Sequence, residues 1–268
     1  MIRWVCNVTM LFTEVPLLER FERAARAGFR YVEFLFPYGQ DVDAIARELE
    51  KHHLEQVLFN LPAGRWESGE RGIAADPSRR EEFAEGVRQA VAIAQRLGVR
   101  RLNCLAGRLL PGVPYADQHA CLVDNLRRAA DHLARHGIML LVEPLNDRDV
   151  PGFLLTSTRQ AVALLDEVGR PNVKVQYDAY HMQIMEGNLT QTLKAYLPRI
   201  GHVQIADVPG RHQPGTGEIR YPFVLQALDE AGYDGWVSLE YVPQGSTEES
   251  LRQAAEAGLA ALGLPHEG

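Results

Sequence analysis

Cysteine is scarce in this chain: three in 268 residues, Cys6, Cys104 and Cys121. None is spaced as CxxC, which argues against a disulfide framework or a zinc ribbon. Cys6 and Cys104 fall in apolar, strand-like segments and read as core fillers. Long apolar runs are missing as well; no stretch reaches the roughly 20 residues that a membrane helix needs. No GxGxxG follows the first strand-like run and no Walker A run occurs, so nucleotide-binding folds lose support. Nor is positive charge concentrated anywhere. The arginines are spread along helical segments (Arg20, Arg23, Arg26; Arg127, Arg128) and the formal net charge is -7. Such a chain repels a phosphate backbone, so no nucleic-acid partner is expected. The run MIRWVCNVTMLF carries neither a charged leader nor a small-residue cleavage site and reads as a first strand. The expectation is a cytoplasmic protein with no membrane association.

What the sequence has is alternation. Strand-like runs occur at Ile2–Val8, Phe29–Glu33, Leu54–Asn60, Arg101–Cys104, Ile138–Glu143, Val173–Asp178, His202–Ala206 and Trp236–Glu240. Amphipathic helical runs separate them: Leu17–Ala27, Val42–His52, Ser78–Leu97, Ala116–Arg135, Ser157–Val168, Leu189–Tyr196, Pro222–Ala231 and Glu248–Leu262. Strict alternation implies parallel strands joined by right-handed crossovers. Eight such units at this length fit a single α/β domain, a (β/α)8 TIM barrel over 1–268. The longest irregular stretch is PAGRWESGERGIAAD, Pro62–Asp76, and loops of that length usually have a function such as a lid. Trp66 and Glu67 lie in it, and Trp66 is placed to close over a substrate.

In these barrels the active site gathers at the carboxyl ends of the strands. The fifth strand ends in Glu143, the sixth in Asp178, the seventh carries Gln204 and the eighth ends in Glu240. A single carboxylate at a strand end is commonly a helix cap. Four oxygen-bearing side chains at one end of four consecutive strands instead converge on one point. Three carboxylates that close raise one another's pKa unless a cation lies among them, so a divalent ion is implied. Oxygen ligands favour Mg²⁺ or Mn²⁺ over Zn²⁺. Asp178 opens a D-x-x-H run, and His181 is a candidate donor to a substrate oxygen. Arg71 in the long loop and Arg211 after the seventh strand are candidate partners for a substrate anion. Glu33 and Asn60 end the second and third strands and are candidates for the pocket wall. His202, one layer below Gln204, reads as a core histidine.

The segments FNLPAGRWESGERGIA, LVEPLN, YDAYHMQIMEGNL, HVQIADVPGRHQPGTGEI and GWVSLEY carry a resemblance. Together they resemble the hydroxypyruvate isomerase family of the xylose-isomerase-like barrels. The resemblance implies that Glu143 and Glu240 are the catalytic carboxylates. It also implies that Glu143, Asp178, Gln204 and Glu240 surround a metal. Related ketose epimerases place a histidine where this chain has Gln204, so their metal preference does not transfer. The implied reaction is an aldose–ketose isomerisation of a small hydroxy-carbonyl acid through an enediolate. Two other enzymes fit the same scaffold, an isomerase of a four-carbon 2-oxo acid and a ketose 3-epimerase. DNA-repair endonucleases share the barrel, but need more metal-binding histidines and a basic groove. A barrel that only binds a metabolite is disfavoured by the intact Glu143/Glu240 pair. Self-association through the helical faces is expected by analogy alone.

Overall fold

The computed structural model describes residues 2–265. Among these residues the chain alternates as the sequence predicts. The strands are β1 (Arg3–Asn7), β2 (Tyr31–Glu33), β3 (Glu55–Gln56), β4 (Phe59–Asn60), β5 (Arg101–Cys104), β6 (Met139–Val142), β7 (Val173–Asp178), β8 (Ile200–Ile205) and β9 (Trp236–Leu239). All pairings are parallel, in the order β3-β2-β1-β9-β8-β7-β6-β5-β4. The two ends of that order are halves of one stave. β3 pairs with β2, and β4, four residues on, pairs with β5. The Val57 and Asn60 amides donate to Val32 and Leu35 on one side, and the Leu61 amide donates to Asn103 on the other. The sheet therefore closes into a barrel of eight staves whose third is broken at Val57–Leu58. The unbroken strand expected over 54–60 is corrected to this extent.

The helices are α1 (Leu17–Arg26), α2 (Val42–Lys51), α3 (Arg80–Leu97), α4 (Tyr115–Ala134), α5 (Thr158–Val168), α6 (Ala179–Met185), α7 (Leu189–Tyr196), α8 (Tyr221–Glu230) and α9 (Thr247–Ala254). Side-chain caps fix several starts. Asp41 accepts from the Ala44 amide, Ser157 from Gln160 and Ser246 from Glu249. α6 is an addition to the predicted set, started by Asp178, whose carboxylate accepts from the Tyr180 amide. The helix expected over Glu248–Leu262 stops at Ala254 and continues as irregular turns, because Gly258 sits at φ 107, outside any helix.

The barrel interior is layered. At the amino end of the strands the Arg3 and Arg101 guanidinium groups stack on the Trp236 ring, 3.8 and 4.0 Å from its centroid, and Tyr31 meets that ring edge-on. Val5, Val57, Leu58 and Leu141 form an apolar plug inside the barrel, each worth about 1.5–3 kcal/mol of burial. Toward the carboxyl end the interior turns polar, with Asn7, Glu33, Asn103, Gln176, His202, Gln204 and Ser238 buried. The larger apolar core lies between the barrel and its helices. Polar groups there would be costly to bury, so the functional groups are confined to the barrel mouth.

Candidate active site

Glu143 directly follows β6, Asp178 ends β7, Gln204 lies in β8 and Glu240 directly follows β9. The strand pleat turns all four inward, and all are buried. A cavity of about 570 Å³ opens above them, with Glu143, Glu240, His181, Asn60, Arg71 and Arg211 in its wall. Asp178 and Gln204 lie beneath that wall. The Gln204 amide is already engaged, donating to Glu33 at 2.7 Å and accepting from Gln176 at 2.7 Å. Glu33 is likewise below the cavity, where it also accepts from Asn7 at 3.0 Å and meets His202 Nε2 at 2.8 Å. His202 is thus tied into the barrel interior.

Each carboxylate has its own set of neighbours. Asn103 donates to Glu143 at 2.7 Å and to Asn60 at 3.1 Å. Asn7 donates to Glu240 at 3.1 Å. Arg211 Nη2 lies 2.5 Å from Glu240 Oε2 and 3.2 Å from Asp178 Oδ2. Burial is the main force on these acids. It pushes Glu143 up to about 8, helped by Asp178 and opposed by Arg211. Burial raises Asp178 and, more strongly, Glu240, against the pull of Arg211 in both. Glu33 goes the other way: His202 and the amide of Gln204 outweigh burial and hold it below the usual carboxylate range.

His181 is fixed in one tautomer. The Asn146 backbone amide donates to its Nδ1 at 3.1 Å. The Asn146 side-chain oxygen accepts from the Arg148 and Asp149 amides, so its Nδ2 is the atom 2.7 Å from the same nitrogen. Nδ1 therefore holds a lone pair and Nε2 the proton. Nε2 lies 3.5 Å from Asp178 Oδ2. Burial and the nearby Arg211 hold this imidazole well below its ordinary pKa, so it is neutral.

Arg211 owes its position to Asp207, a residue that the sequence alone did not single out. Asp207, buried, accepts from the amides of Val208 (2.9 Å), Gly215 (2.8 Å) and Ile219 (3.0 Å). Its own amide donates to His212, closing the turn that contains Arg211. Arg211 takes a positive φ of 57, and its carbonyl accepts from Val242. Aspartate placed after an apolar strand, with glycines following, was the available signal in IADVPGRHQPGTGEI.

The long loop is a docked structure. Its Gly72 lies against Leu105 so closely that a Cβ there would meet the Leu105 carbonyl oxygen at 2.1 Å. The Ala75 amide donates to Ala106, and Glu70 accepts from the Arg65 amide and from Arg79. Trp66 packs on Phe36 with centroids 4.9 Å apart and reaches the cavity wall.

Glu143, Asp178 and His181 bring one ligand atom each within 4.8 Å of one another, and such a group could bind a metal ion. The donor chemistry fits a hard cation. Three buried carboxyl groups share one guanidinium, and a cation among them would favour their ionised forms. Acids of raised pKa beside a neutral imidazole donor at the mouth of a closed barrel form a site of the kind that enzymes use, with groups able to accept and return protons.

Comparison with known proteins narrows the class. The model of the xylose isomerase-like TIM barrel family matches residues 21–262, and the chain belongs to that family. It is 51% identical over 252 residues to the hydroxypyruvate isomerase of Escherichia coli (strain K12), covering 94% of this chain and 98% of that one. It is 42% identical over 249 residues to the 2-oxo-tetronate isomerase of Pectobacterium atrosepticum, covering 93% and 95%. The crystal structure of a family 2 AP endonuclease from Brucella melitensis superposes with a TM-score of 0.93 at 48% identity, covering 96% of this chain and 99% of that one. The chain is an isomerase. No helix among the described residues is long and apolar enough to cross a membrane.

Proposed function

We propose that this isomerase interconverts hydroxypyruvate and tartronate semialdehyde. The observation that supports it most directly is the pair Glu143 and Glu240: both are buried in the wall of one cavity and both are shifted upward, Glu143 to about 8. A group poised near neutrality can both accept and return a proton. One glutamate removes a proton from the hydroxymethyl carbon, leaving an enediolate. A proton is then delivered to the former carbonyl carbon, the hydroxyl proton passes to the former carbonyl oxygen, and the hydroxymethyl carbon becomes the aldehyde. No atom is gained or lost. His181, held as an Nε2 donor, is placed to hydrogen-bond a substrate oxygen, and the Arg211 charge stabilises the enediolate. Asn60 and Arg71 complete the polar wall on the substrate side.

Glu143 and Asp178, which bring ligand atoms close together, and Glu240, now paired with Arg211, are the proposed ligands of a divalent ion, Mg²⁺ or Mn²⁺, with Gln204 joining only if its amide leaves Gln176. When bound, such an ion supplies Lewis-acid polarisation of the carbonyl. The lone-pair nitrogen of His181 is occupied by Asn146, which favours the carboxylates as ligands.

A second reading, an isomerase of a four-carbon 2-oxo acid, has the cavity in its favour. Its volume of about 570 Å³ lies in the range that holds drug-sized ligands. Assays on hydroxypyruvate, 2-oxo-tetronate and a free ketose separate the readings. Changing either Glu143→Gln or Glu240→Gln is expected to cut kcat by about 10³-fold or more while the fold is kept. Near-normal turnover by the Glu240→Gln variant refutes the two-carboxylate mechanism, and preference for an uncharged ketose refutes the acid substrate.

A further inference from the structure

Two arginines line the catalytic cavity, and they stand in opposite situations. Arg211 is committed: two buried carboxylates, Glu240 and Asp178, share its Nη2. A third anion at that nitrogen would compete with the two carboxylates, although the buried Arg211 Nε has no acceptor of its own among the described residues. Arg71 makes no salt bridge or hydrogen bond to a carboxylate among the described residues. Its Nη1 donates to two backbone carbonyls, those of Trp66 at 3.0 Å and Glu70 at 2.7 Å. The acid next to it in sequence, Glu70, is turned instead to Arg65 and Arg79. The Arg71 guanidinium carbon lies over the Trp66 ring, 3.8 Å from the centroid, and Trp66 is itself packed on Phe36. The guanidinium is therefore held by two carbonyls and the indole ring before any ligand arrives, while its Nη2 and Nε protons have no acceptor among the described residues. Arg108 adds a positive charge close by and Glu67 a negative one, neither of them in a salt bridge with Arg71.

A flat, rigidly held fork with donors to spare is what planar recognition of a carboxylate requires. We infer that Arg71 is the specificity-determining residue of the site: it holds the substrate carboxylate and so selects a 2-oxo acid over a neutral ketose. The inference rests on the isomerase reading above and names the feature of the substrate that the cavity recognises. Trp66 is its positioning residue, acting through the stack. Because a carboxylate keeps its charge throughout the proton transfer, Arg71 serves ground state and transition state alike. Its loss should therefore appear mainly in KM.

The test compares wild type, Arg71→Gln and Arg71→Lys on hydroxypyruvate and on dihydroxyacetone. The latter keeps the hydroxymethyl ketone and replaces the carboxylate by an alcohol. For Arg71→Gln on hydroxypyruvate, KM should rise between about tenfold and a hundredfold, the range for losing a hydrogen-bonded charge. Its kcat should fall less than about threefold. On dihydroxyacetone kcat/KM should stay within about threefold of wild type, and Arg71→Lys should recover part of the KM loss. Equal losses on both substrates would show that Arg71 only supports the loop and would overturn the inference. So would an unchanged KM for hydroxypyruvate. In either case wild-type turnover of the acid leaves the isomerase reading standing. If wild type turns over neither hydroxypyruvate nor 2-oxo-tetronate, the isomerase reading fails first and the inference falls with it.

Discussion

Replacing Asp207 by alanine should unseat Arg211 without altering any residue of the cavity wall. The aspartate takes three backbone amides, those of Val208, Gly215 and Ile219, at 2.8–3.0 Å. Hydrogen bonds to a charged group contribute about 1.5–3 kcal/mol each, and a buried donor left unpaired costs a similar amount. The three do not simply add. Only the Ile219 contact is fully buried, and water can replace part of the other two. A loss of about 3 kcal/mol is a fair magnitude for the set. For a chain of this size it lowers the melting temperature by about 6–12 °C. The loop carrying Arg211 would lose its closure, and with it the cation between Asp178 and Glu240, so kcat/KM should drop about a hundredfold or more. Asp207→Asn sharpens the test. Its oxygen can keep the Val208 and Ile219 amides, but its NH2 group then faces the Gly215 N–H. About half of the loss is expected. The assay pairs thermal melting with steady-state kinetics. An alanine variant that melts within about 2 °C of wild type, with turnover within twofold, would refute the reasoning.

Two further outcomes follow from the charges. In metal-free protein, melting temperature should fall as pH rises from about 4.5 to about 8 and level off above, because over that window the unfolded chain ionises Glu143 while the folded state keeps it neutral. The sign is that of a raised carboxylate, whose neutral form favours folding most below its unfolded pKa. Mg²⁺ or Mn²⁺ should flatten that fall and restore activity lost to a chelator; a pH profile indifferent to the ion would count against the carboxylate site. Glu70 has the opposite sign. The Arg65 amide and the Arg79 guanidinium hold it down to about 2, so its contribution is intact above about 4.5 and drains away as pH falls toward 2. The melting difference between wild type and Glu70→Gln should shrink over that window, and a constant difference would mean the ion pair adds nothing.

Much of this was legible in the sequence, because strand ends in a barrel are a topological address. Glu143, Asp178, Gln204 and Glu240 were found that way, and the structure puts each where the strand order says. Side-chain orientation was not legible. Asp178 is at once a site residue and the cap of α6, two readings that sequence treats as rivals. Gln204 points its oxygen at Gln176, a choice set by Glu33 on a strand 171 residues away. Arg211 appeared only as a candidate anion partner. Its reach back to two carboxylates depends on a left-handed residue and on Asp207, neither of which has a periodic signature. The break at Val57–Leu58 likewise leaves no mark in an apolar run.

The polar interior beneath the cavity has an orientational consequence. A row of amides is degenerate, since each can be reversed if its neighbours reverse too. Glu33 removes the degeneracy, because an ionised carboxylate can only accept. It dictates the direction of Gln204, and Gln204 that of Gln176; it also faces the NH2 of Asn7, the group that donates to Glu240. One buried charge thus gives polarity to four staves of the barrel. The hydrogen bond that Glu240 receives from below is set by a residue outside the cavity wall.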